Sequence, residues 1–256
     1  PCVIRRVGGM VAKAAGIPAE AIRDNMHNEM GEAGAAHALV MLAQSLEEAK
    51  PGEVIVIAGF GQGCDTLMFR TTEEVEKRRP SMGVSGFLAR RVEENNYNKY
   101  LAFNDLMTLD HGLRGEVDRQ TALTALYRNK KMLTGFVGGK CRKCGTLQFP
   151  KTKVCVNPNC GEFHSQDDHP FADMPATVQS WTADNLTYAV EPPQHFGMVI
   201  FKEGGRLMSD LTDVDVGGVE VGMPMRMMFR VKEFDSQRGF TRYFWKAAPD
   251  FTNDGS

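Results

Sequence analysis

The stretch "CRKCGTLQFPKTKVCVNPNC" at residues 141–160 places four cysteines within twenty positions. It reads as a Cys-x2-Cys pair, a spacer of ten residues and a Cys-x4-Cys pair. Zinc prefers four deprotonated thiolates in a tetrahedron, and two short cysteine loops that face each other supply this geometry. We therefore predict a zinc ribbon with the ligands Cys141, Cys144, Cys155 and Cys160. Because four thiolates leave no coordination position for a substrate, the predicted role of the ion is structural.

The composition of the whole chain limits its class. At 256 residues the chain has room for two modest domains, and 42% of it is hydrophobic, as in ordinary globular proteins. It contains no apolar run of about 20 residues that could span a bilayer and no signal peptide, so we expect no membrane partner. Four of the six cysteines lie in the cluster, which predicts a protein of the reducing cytoplasm rather than a disulfide framework.

Residues 1–72 have an α/β pattern. "VGGMVAKAAGI" predicts one helix, "IPAEAIRDNM" a second that starts near Pro18, and "GEAGAAHALVMLAQSLEEAK" a third, longer one. "PGEVIVIAGFGQG" contains a nearly continuous apolar strand of the kind that is buried on both faces, and "DTLMFRTT" predicts a returning strand. The charged segment 73–95, which Pro and Gly interrupt, is predicted to be a linker.

The second half is predicted to begin with helices and to end in a β-barrel. Short alternating apolar strands fill the C-terminal part, and "EGGR" at 203–206 predicts a hairpin turn between two of them. Several short strands after a zinc module favour a small barrel of the OB type. The predicted boundaries are a helical lead-in at 96–140, the zinc ribbon at 141–170, the OB-fold barrel at 171–249 and a tail at 250–256.

Zinc ribbons and OB barrels both occur in nucleic-acid-binding proteins, which need a basic groove with stacking aromatic side chains. Residues 171–249 contain eight Lys and Arg against ten Asp and Glu, and the net charge of the chain is −2. We therefore predict no nucleic-acid partner. A basic stretch precedes the barrel, and we predict that it contacts the phosphates of coenzyme A, through Arg128, Lys140, Arg142 and Lys143. The alternative is a solvated charged face.

The second half also resembles a known family. The segments "ALTALYRNKKMLTGFVGGKCRKCGTLQFP", "GGRLMSDLTDVD" and "YFWKAAP" resemble, in this order, the zinc-ribbon and OB-fold family called domain of unknown function thirty-five. The resemblance covers residues 95–249. It implies a protein that accompanies thiolase-superfamily enzymes and either binds acyl-CoA or bridges the subunits of a complex.

The first half resembles another family. "AKAAGIPAEAIRDNMHNEMGEAGAAHALVMLAQSLEEAKPGEVIVIAGFGQG" resembles the C-terminal part of the thiolase superfamily, nearest to ketoacyl synthase III and 3-hydroxy-3-methylglutaryl-CoA synthase. The resemblance covers only the tail of such a fold, residues 1–72. It implies a nucleophilic Cys upstream of Pro1, in a longer enzyme of which this chain is the C-terminal piece. It also implies a homo-oligomer, since thiolase folds pair through their sheets.

One position departs from that family. The resemblance implies an Asn or a His directly after Gly31, which polarises the thioester carbonyl, but Glu32 stands there. An ionised carboxylate repels an oxyanion, so Glu32 is a protonated donor, a base, part of an altered reaction or a helix cap. His27 is the second catalytic candidate. We expect His37 to be packed and Cys64 to be a buried thiol.

Together these patterns predict an α/β thiolase-like C-terminal fragment, followed by helices, a zinc ribbon and a β OB-fold barrel. The predicted function is to make or break a carbon–carbon bond in a CoA thioester, within an enzyme whose nucleophile lies outside this chain. Acyl-CoA and a thiolase-like partner, or the chain's own upstream half, are the expected partners. The alternative is a non-catalytic acyl-CoA-binding scaffold of a thiolase complex.

Overall fold

The computed structural model describes residues 3–4, 6–79, 82–110, 122–187, 191–235 and 238–251. The chain divides into two compact units. The first unit consists of the chain up to Asn95 together with Phe251. The second unit is Asn96–Asp250. No helix among the described residues is long and apolar enough to cross a membrane.

The first unit consists of helices around one β-hairpin. Its helices are α1 (Val7–Ala14), α2 (His37–Glu48), α3 (Glu74–Lys77) and α4 (Gly83–Ala89), and its antiparallel strands are β1 (Val54–Phe60) and β2 (Cys64–Arg70). The segment predicted to be a linker thus contains α3 and α4. Helix α4 contacts α2, where the Glu47 carboxylate accepts hydrogen bonds from the backbone amides of Val84 and Ser85.

The predicted second helix is wrong beyond its first turn. Only a 3₁₀ turn, Ala19–Ala21, forms there. Asp24 Oδ1 accepts a hydrogen bond from the Met26 amide at 2.7 Å, and Asn25 Oδ1 accepts one from the His27 amide at 3.2 Å. Such local side-chain bonds to the backbone compete with helix formation. An irregular segment that contains a turn and the 3₁₀ helix Gly34–Ala36 therefore leads to α2.

The hairpin has one face that α2 covers in part, over β1, and one open face. Helix α2 contacts β1, and a Cβ added at Gly59 would lie 3.7 Å from Ala38 Cβ. Residues paired across an antiparallel hairpin share a face. The opposite face, which we call the open face, is formed by Val54, Val56, Ala58, Phe60, Cys64, Thr66, Met68 and Arg70. All eight are exposed, so the prediction of a strand buried on both faces is wrong.

The second unit combines the ribbon and the barrel. The helices α5 (Tyr97–Phe103), α6 (Leu123–Arg128) and α7 (Lys130–Gly135) precede a three-stranded sheet of order β4-β3-β5, with β3 (Val137–Cys141), β4 (Leu147–Gln148) and β5 (Gln166–Pro170). A five-stranded sheet of order β10-β9-β6-β7-β8 follows, with β6 (Ala176–Asp184), β7 (Gln194–Phe201), β8 (Arg206–Asp210), β9 (Pro224–Asp235) and β10 (Phe240–Pro249). Part of the strand expected after Asn185 lies outside the described residues.

The five-stranded sheet curls into a partly closed barrel. A parallel bridge between Leu211, next to β8, and Ala247 in β10 joins its two edges, and the Thr212 amide donates to the Ala247 carbonyl at 2.8 Å. This arrangement is that of an OB-fold barrel. The predicted turn at 203–206 is confirmed as the β7–β8 connection, where Gly204 and Gly205 have positive φ angles of 115° and 87°.

A single hydrophobic core joins the ribbon to the barrel. Phe171 is fully buried, and its ring lies against those of Phe136, Phe149 and Phe201. The buried cluster consists of Phe136, Leu147, Phe171, Met174, Ala176, Val178, Val199, Phe201, Leu211, Val219, Met225, Met227 and Ala247. Every member lies in the second unit. The ribbon and the barrel therefore stabilise each other.

We expect Gly197→Ala to destabilise the barrel. A Cβ at Gly197 in β7 would overlap the carbonyl oxygen of Ser180 in the neighbouring strand, where the pairing register shifts. The strands must move apart, which costs about 1–3 kcal/mol. Urea unfolding followed by tryptophan fluorescence measures this loss. The control is Gly135→Ala, whose new Cβ meets Val137 Cγ2 at an ordinary 3.4 Å. Equal stability of the two variants would contradict the expectation.

Candidate functional site

The four cysteines of the ribbon lie on two tight backbone turns. The Gly145 amide donates to the Cys141 carbonyl at 2.8 Å, and the Gly161 amide donates to the Asn157 carbonyl at 3.0 Å. Gly145 and Gly161 directly follow the second cysteine of each pair and have φ angles of 75° and 56°. Glycine adopts this left-handed conformation without a steric cost, which explains its place in both turns.

The sulfur atoms converge on one point. Cys141 Sγ lies 3.9 Å from Cys160 Sγ, and Cys144 Sγ lies 3.5 Å from Cys155 Sγ. All four sulfurs lie within 4.8 Å of one another. Zinc–sulfur bonds of about 2.3 Å in a tetrahedron place sulfurs about 3.8 Å apart. The predicted ligand set fits zinc, and the site is that of a structural zinc ion.

The thiols have unequal proton affinities. A hydrogen bond from Ser165 lowers the pKa of Cys141 to about 6, and Thr146 lowers the pKa of Cys144. The Asn157 amide lowers the pKa of Cys155, but burial and the neighbouring thiols outweigh it and raise that pKa to about 12. Four thiolates repel one another at this distance unless a cation lies among them. The cluster therefore requires an ion to be fully deprotonated.

Two of the four residues predicted to contact coenzyme A form ion pairs within the ribbon. Arg142 Nη1 lies 2.9 Å from Asp167 Oδ1, and Lys143 Nζ lies 2.5 Å from Glu162 Oε2. The hydrogen bond with Glu162 raises the pKa of Lys143, whose ammonium lowers the pKa of Glu162 in turn. A phosphate at these two positions has to compete with carboxylates. Arg128 and Lys140, at the end of α6 and in β3, are exposed.

A third ion pair cluster lies beside the ribbon sheet. Lys131 and Lys151 lie 2.7 Å and 2.6 Å from the carboxylate oxygens of Asp168. Their hydrogen bonds lower the pKa of Asp168 to about 2. A lowered folded-state pKa means that the stabilising contribution is present above the ordinary pKa and is lost as the pH falls through about 2. The pairs are exposed to water, so their contribution is small.

The first unit contains a second cluster of chemically active side chains. His27 Nε2 lies 3.1 Å from Glu32 Oε2, and His37 Nδ1 lies 3.3 Å from Glu32 Oε1. The side chains of His27 and His37 are 7% and 1% exposed, whereas that of Glu32 is 31% exposed. The structure therefore brings the two predicted catalytic residues together and places His37, which is buried as expected, beside Glu32.

The loop before α2 holds this cluster. Gly31 and Gly34 have positive φ angles of 70° and 58°, and the Gly34 amide donates to Glu32 Oε1 at 3.0 Å. Because of these turns, α2 begins only at His37. His37 is therefore the first residue of the helix, next to the loop that carries Glu32. Sequence reasoning missed the contribution of His37. The feature that could have indicated His37 is its position, six residues after Gly31, where a loop that contains glycines ends and a helix begins.

The hydrogen bonds of His37 determine its tautomer. Its Nε2 lies 2.8 Å from the Asn25 carbonyl oxygen, which can only accept, so Nε2 carries the proton. The Ala33 amide donates to Nδ1 at 3.2 Å. Nδ1 therefore acts as an acceptor, and its lone pair lies beside Glu32. Cys64 behaves differently from expectation: it is exposed at the start of β2, because the open face is uncovered.

Two family models match the second unit. A rubredoxin-like zinc ribbon domain of ChsH2 matches residues 135–164, and a C-terminal OB-fold domain of ChsH2 matches residues 170–230. Both matches confirm the predicted domain types. A solved structure described as "Ltp2-ChsH2(DUF35) aldolase" shares 24% identity over 53% of this chain and 98% of that chain, with a TM-score of 0.38.

Curated relatives match about half of the chain. A DUF35 domain-containing scaffold protein of Pyrococcus furiosus is 32% identical over 127 residues, which are 48% of this chain and 87% of the relative. A protein of the same description from Methanothermobacter thermautotrophicus is 24% identical over 50% of this chain and 97% of the relative. A hydroxymethylglutaryl-CoA synthase of Caldivirga maquilingensis is 30% identical over 105 residues, which are 40% of this chain and 30% of the synthase. The chain therefore belongs to the DUF35 family, through its zinc ribbon and OB-fold barrel.

Proposed function

We propose that this chain docks onto a thiolase fold and serves an enzyme that makes or breaks a carbon–carbon bond in a CoA thioester. The thiolase fold comes from a partner subunit or from an upstream part of the same polypeptide. The ribbon and barrel act as the scaffold, and the first unit contributes His27 and Glu32 to the reaction. The open face of the hairpin is the observation that carries this proposal.

The open face needs a covering surface. Val56, Phe60 and Met68 on this face are 54%, 62% and 75% exposed. A two-stranded hairpin is marginally stable by itself, and contiguous exposed apolar surface marks an interaction site. The buried hydrophobic residues of the described first unit are only Ala12, Met26 and Ala49. The first unit thus has a small hydrophobic core, which a partner surface would extend.

The relatives support a scaffold role and a CoA-related partner. Two relatives named DUF35 domain-containing scaffold proteins match about half of this chain and nearly their own full length. The match to a hydroxymethylglutaryl-CoA synthase covers 30% of that enzyme. The match supports an enzyme of CoA thioesters as the source of the thiolase fold. A non-catalytic acyl-CoA-binding scaffold is the second candidate, because the ribbon and barrel alone account for the family membership.

We expect Met68→Asp to weaken docking strongly. Size-exclusion chromatography after co-expression with a thiolase-superfamily enzyme of the same organism should show a complex with the wild-type chain. An unpaired carboxylate on the open face must be desolvated in the complex, which weakens binding at least about tenfold. Where the same polypeptide supplies the thiolase fold, the substitution should instead lower the melting temperature of the full-length protein.

The matched control is Met208→Asp, in β8 of the barrel, where the side chain is 58% exposed. It should leave the complex intact. Equal binding by the two aspartate variants would exclude the open face as the docking surface. Failure of every thiolase-superfamily enzyme to bind the wild-type chain, together with an unchanged melting temperature of Met68→Asp in the full-length protein, would overturn the proposed function.

The coenzyme A contacts have their own test. We expect CoA and acetyl-CoA to raise the melting temperature, because a ligand at 100 times its Kd stabilises a protein by about 2.7 kcal/mol. The double substitution Arg128→Ala and Lys140→Ala should remove most of the shift, since both side chains are exposed at the basic stretch. Lys202→Ala, at an exposed lysine after β7, is the control. No shift at millimolar ligand would contradict CoA binding by this chain.

A further inference from the structure

We propose that His27, Glu32 and His37 bind a divalent transition-metal ion, for which zinc is the expected species. The ligand atoms are His27 Nε2, a carboxylate oxygen of Glu32 and His37 Nδ1, which all lie within 4.8 Å of one another. Two imidazoles and one carboxylate form a ligand set that zinc accepts when it keeps an open position. This site is in the first unit and shares no residue with the ribbon.

The distances match those of ligands on one ion. Metal–ligand bonds of about 2.0–2.1 Å at tetrahedral angles place two ligand atoms about 3.3–3.4 Å apart. Glu32 Oε2 lies 3.1 Å from His27 Nε2, and the other carboxylate oxygen, Oε1, lies 3.3 Å from His37 Nδ1. The carboxylate thus lies between the two imidazoles, and all the ligand atoms are within 4.8 Å of one another, so side-chain rotation can bring them onto one ion.

The hydrogen bonds leave two acceptor atoms facing each other with no positive charge between them. Glu32 Oε1 and His37 Nδ1 are both acceptors, because the Gly34 amide donates to the first and the Ala33 amide donates to the second. Two lone pairs that face each other at 3.3 Å repel. A cation between them converts this repulsion into two bonds. It displaces the Ala33 amide from Nδ1, which is a single hydrogen bond of 3.2 Å.

A hydrogen bond orients the His37 ring in the way that is usual for metal-binding histidines. His37 donates its other ring N–H to the Asn25 carbonyl at 2.8 Å, which keeps the Nδ1 lone pair toward the cluster. Metal-binding histidines characteristically make such a bond to a backbone carbonyl or a carboxylate. The imidazoles are buried, whereas the 31% exposure of Glu32 leaves one side of the site accessible to a fourth ligand.

The fourth ligand is an oxygen donor, either a water or the carbonyl oxygen of a substrate. This part of the inference rests on the proposed function, whereas metal binding itself does not. A carboxylate at position 32 would repel the oxyanion that develops on a thioester. A divalent cation held by that carboxylate reverses the local charge and polarises the carbonyl as a Lewis acid. Glu32 then contributes as a ligand.

Zinc content and Co²⁺ spectra of the 256-residue chain test the site. After equilibration with excess Zn²⁺ and removal of loosely bound ion, the wild type should hold two zinc ions and Glu32→Gln one. Loss of an outer-shell partner lowers metal affinity about 10–100-fold, and replacing this charged ligand by an amide should cost at least as much. In a separate experiment each chain receives one equivalent of Zn²⁺, which fills the four-cysteine ribbon. Co²⁺ added next should give a visible spectrum without sulfur charge-transfer bands in the wild type but not in Glu32→Gln. Glu29→Gln, at an exposed glutamate three residues earlier, should hold two ions.

Circular dichroism establishes that Glu32→Gln folds, and His27→Gln provides a second variant that should also hold one ion. One zinc per wild-type chain at saturation would overturn the proposal. Equal second-site affinity in Glu32→Gln and Glu29→Gln would overturn it as well. Neither readout depends on a partner protein or on CoA, so the result is independent of the proposed function.

Discussion

The substitution Cys155→Ser is expected to remove one zinc ion per chain and to unfold the ribbon. Cys155 is 3% exposed, and its sulfur lies 3.5 Å from Cys144 Sγ. Structural zinc contributes a binding free energy on the order of 10–16 kcal/mol, which is comparable to the whole stability of a domain. A hydroxyl is a poor replacement for a thiolate, so little of this free energy remains.

Atomic emission spectroscopy measures the loss of zinc, and amide hydrogen exchange measures the loss of protection in β3, β4 and β5. Because Phe136 and Leu147 of the ribbon belong to the shared core, the barrel should also unfold at a lower temperature. The control is Cys64→Ser, since Cys64 is exposed and lies outside the cluster. Equal zinc content in the two variants would contradict a four-cysteine site.

The second large effect is expected for Phe171→Ala, at the centre of that core. Phe171 is 0% exposed. A Cβ added at Gly138 would overlap its ring, and one added at Gly205 would lie 2.9 Å from it. The two glycines thus make room for the ring, and its removal leaves a cavity that the surrounding strands cannot fill. The expected cost is about 3–5 kcal/mol.

Urea unfolding followed by tryptophan fluorescence measures this cost. Trp181 and Trp245 are the two tryptophans of the chain, and both lie in barrel strands, so the signal reports the second unit. The control is Phe234→Ala in β9, where the side chain is 59% exposed and the expected change is within about 0.5 kcal/mol. If both alanine variants unfold at the same urea concentration, the proposed core is wrong.

Much of the second unit could be predicted because its signals are local. The cysteine spacing, the glycines that follow Cys144 and Cys160, and the "EGGR" turn each act within a few residues of chain. Glycine at a positive φ angle and thiolate at a metal are preferences of the residue itself. The alternating strands likewise have a periodicity that neighbouring residues determine.

The first unit was predicted less well because competing local bonds and long-range packing decide it. Asp24 and Asn25 bond to the following backbone amides and stop the helix that Pro18 was expected to start. The apolar pattern of β1 suggested burial on both faces, but burial depends on what packs against a strand. Only α2 does so among the described elements of this unit.

By itself the sequence determined the zinc ligands and the order of ribbon and barrel, because residue chemistry and short-range geometry are sufficient for both. Only the tertiary structure decided that His37 joins His27 and Glu32, that the core spans ribbon and barrel, and that one face of the hairpin is open. Each of these features arises because residues that are distant in the chain, or that lie on either side of an irregular loop, come together in space. Sequence periodicity does not encode such convergence, since it arises from the packing of whole elements.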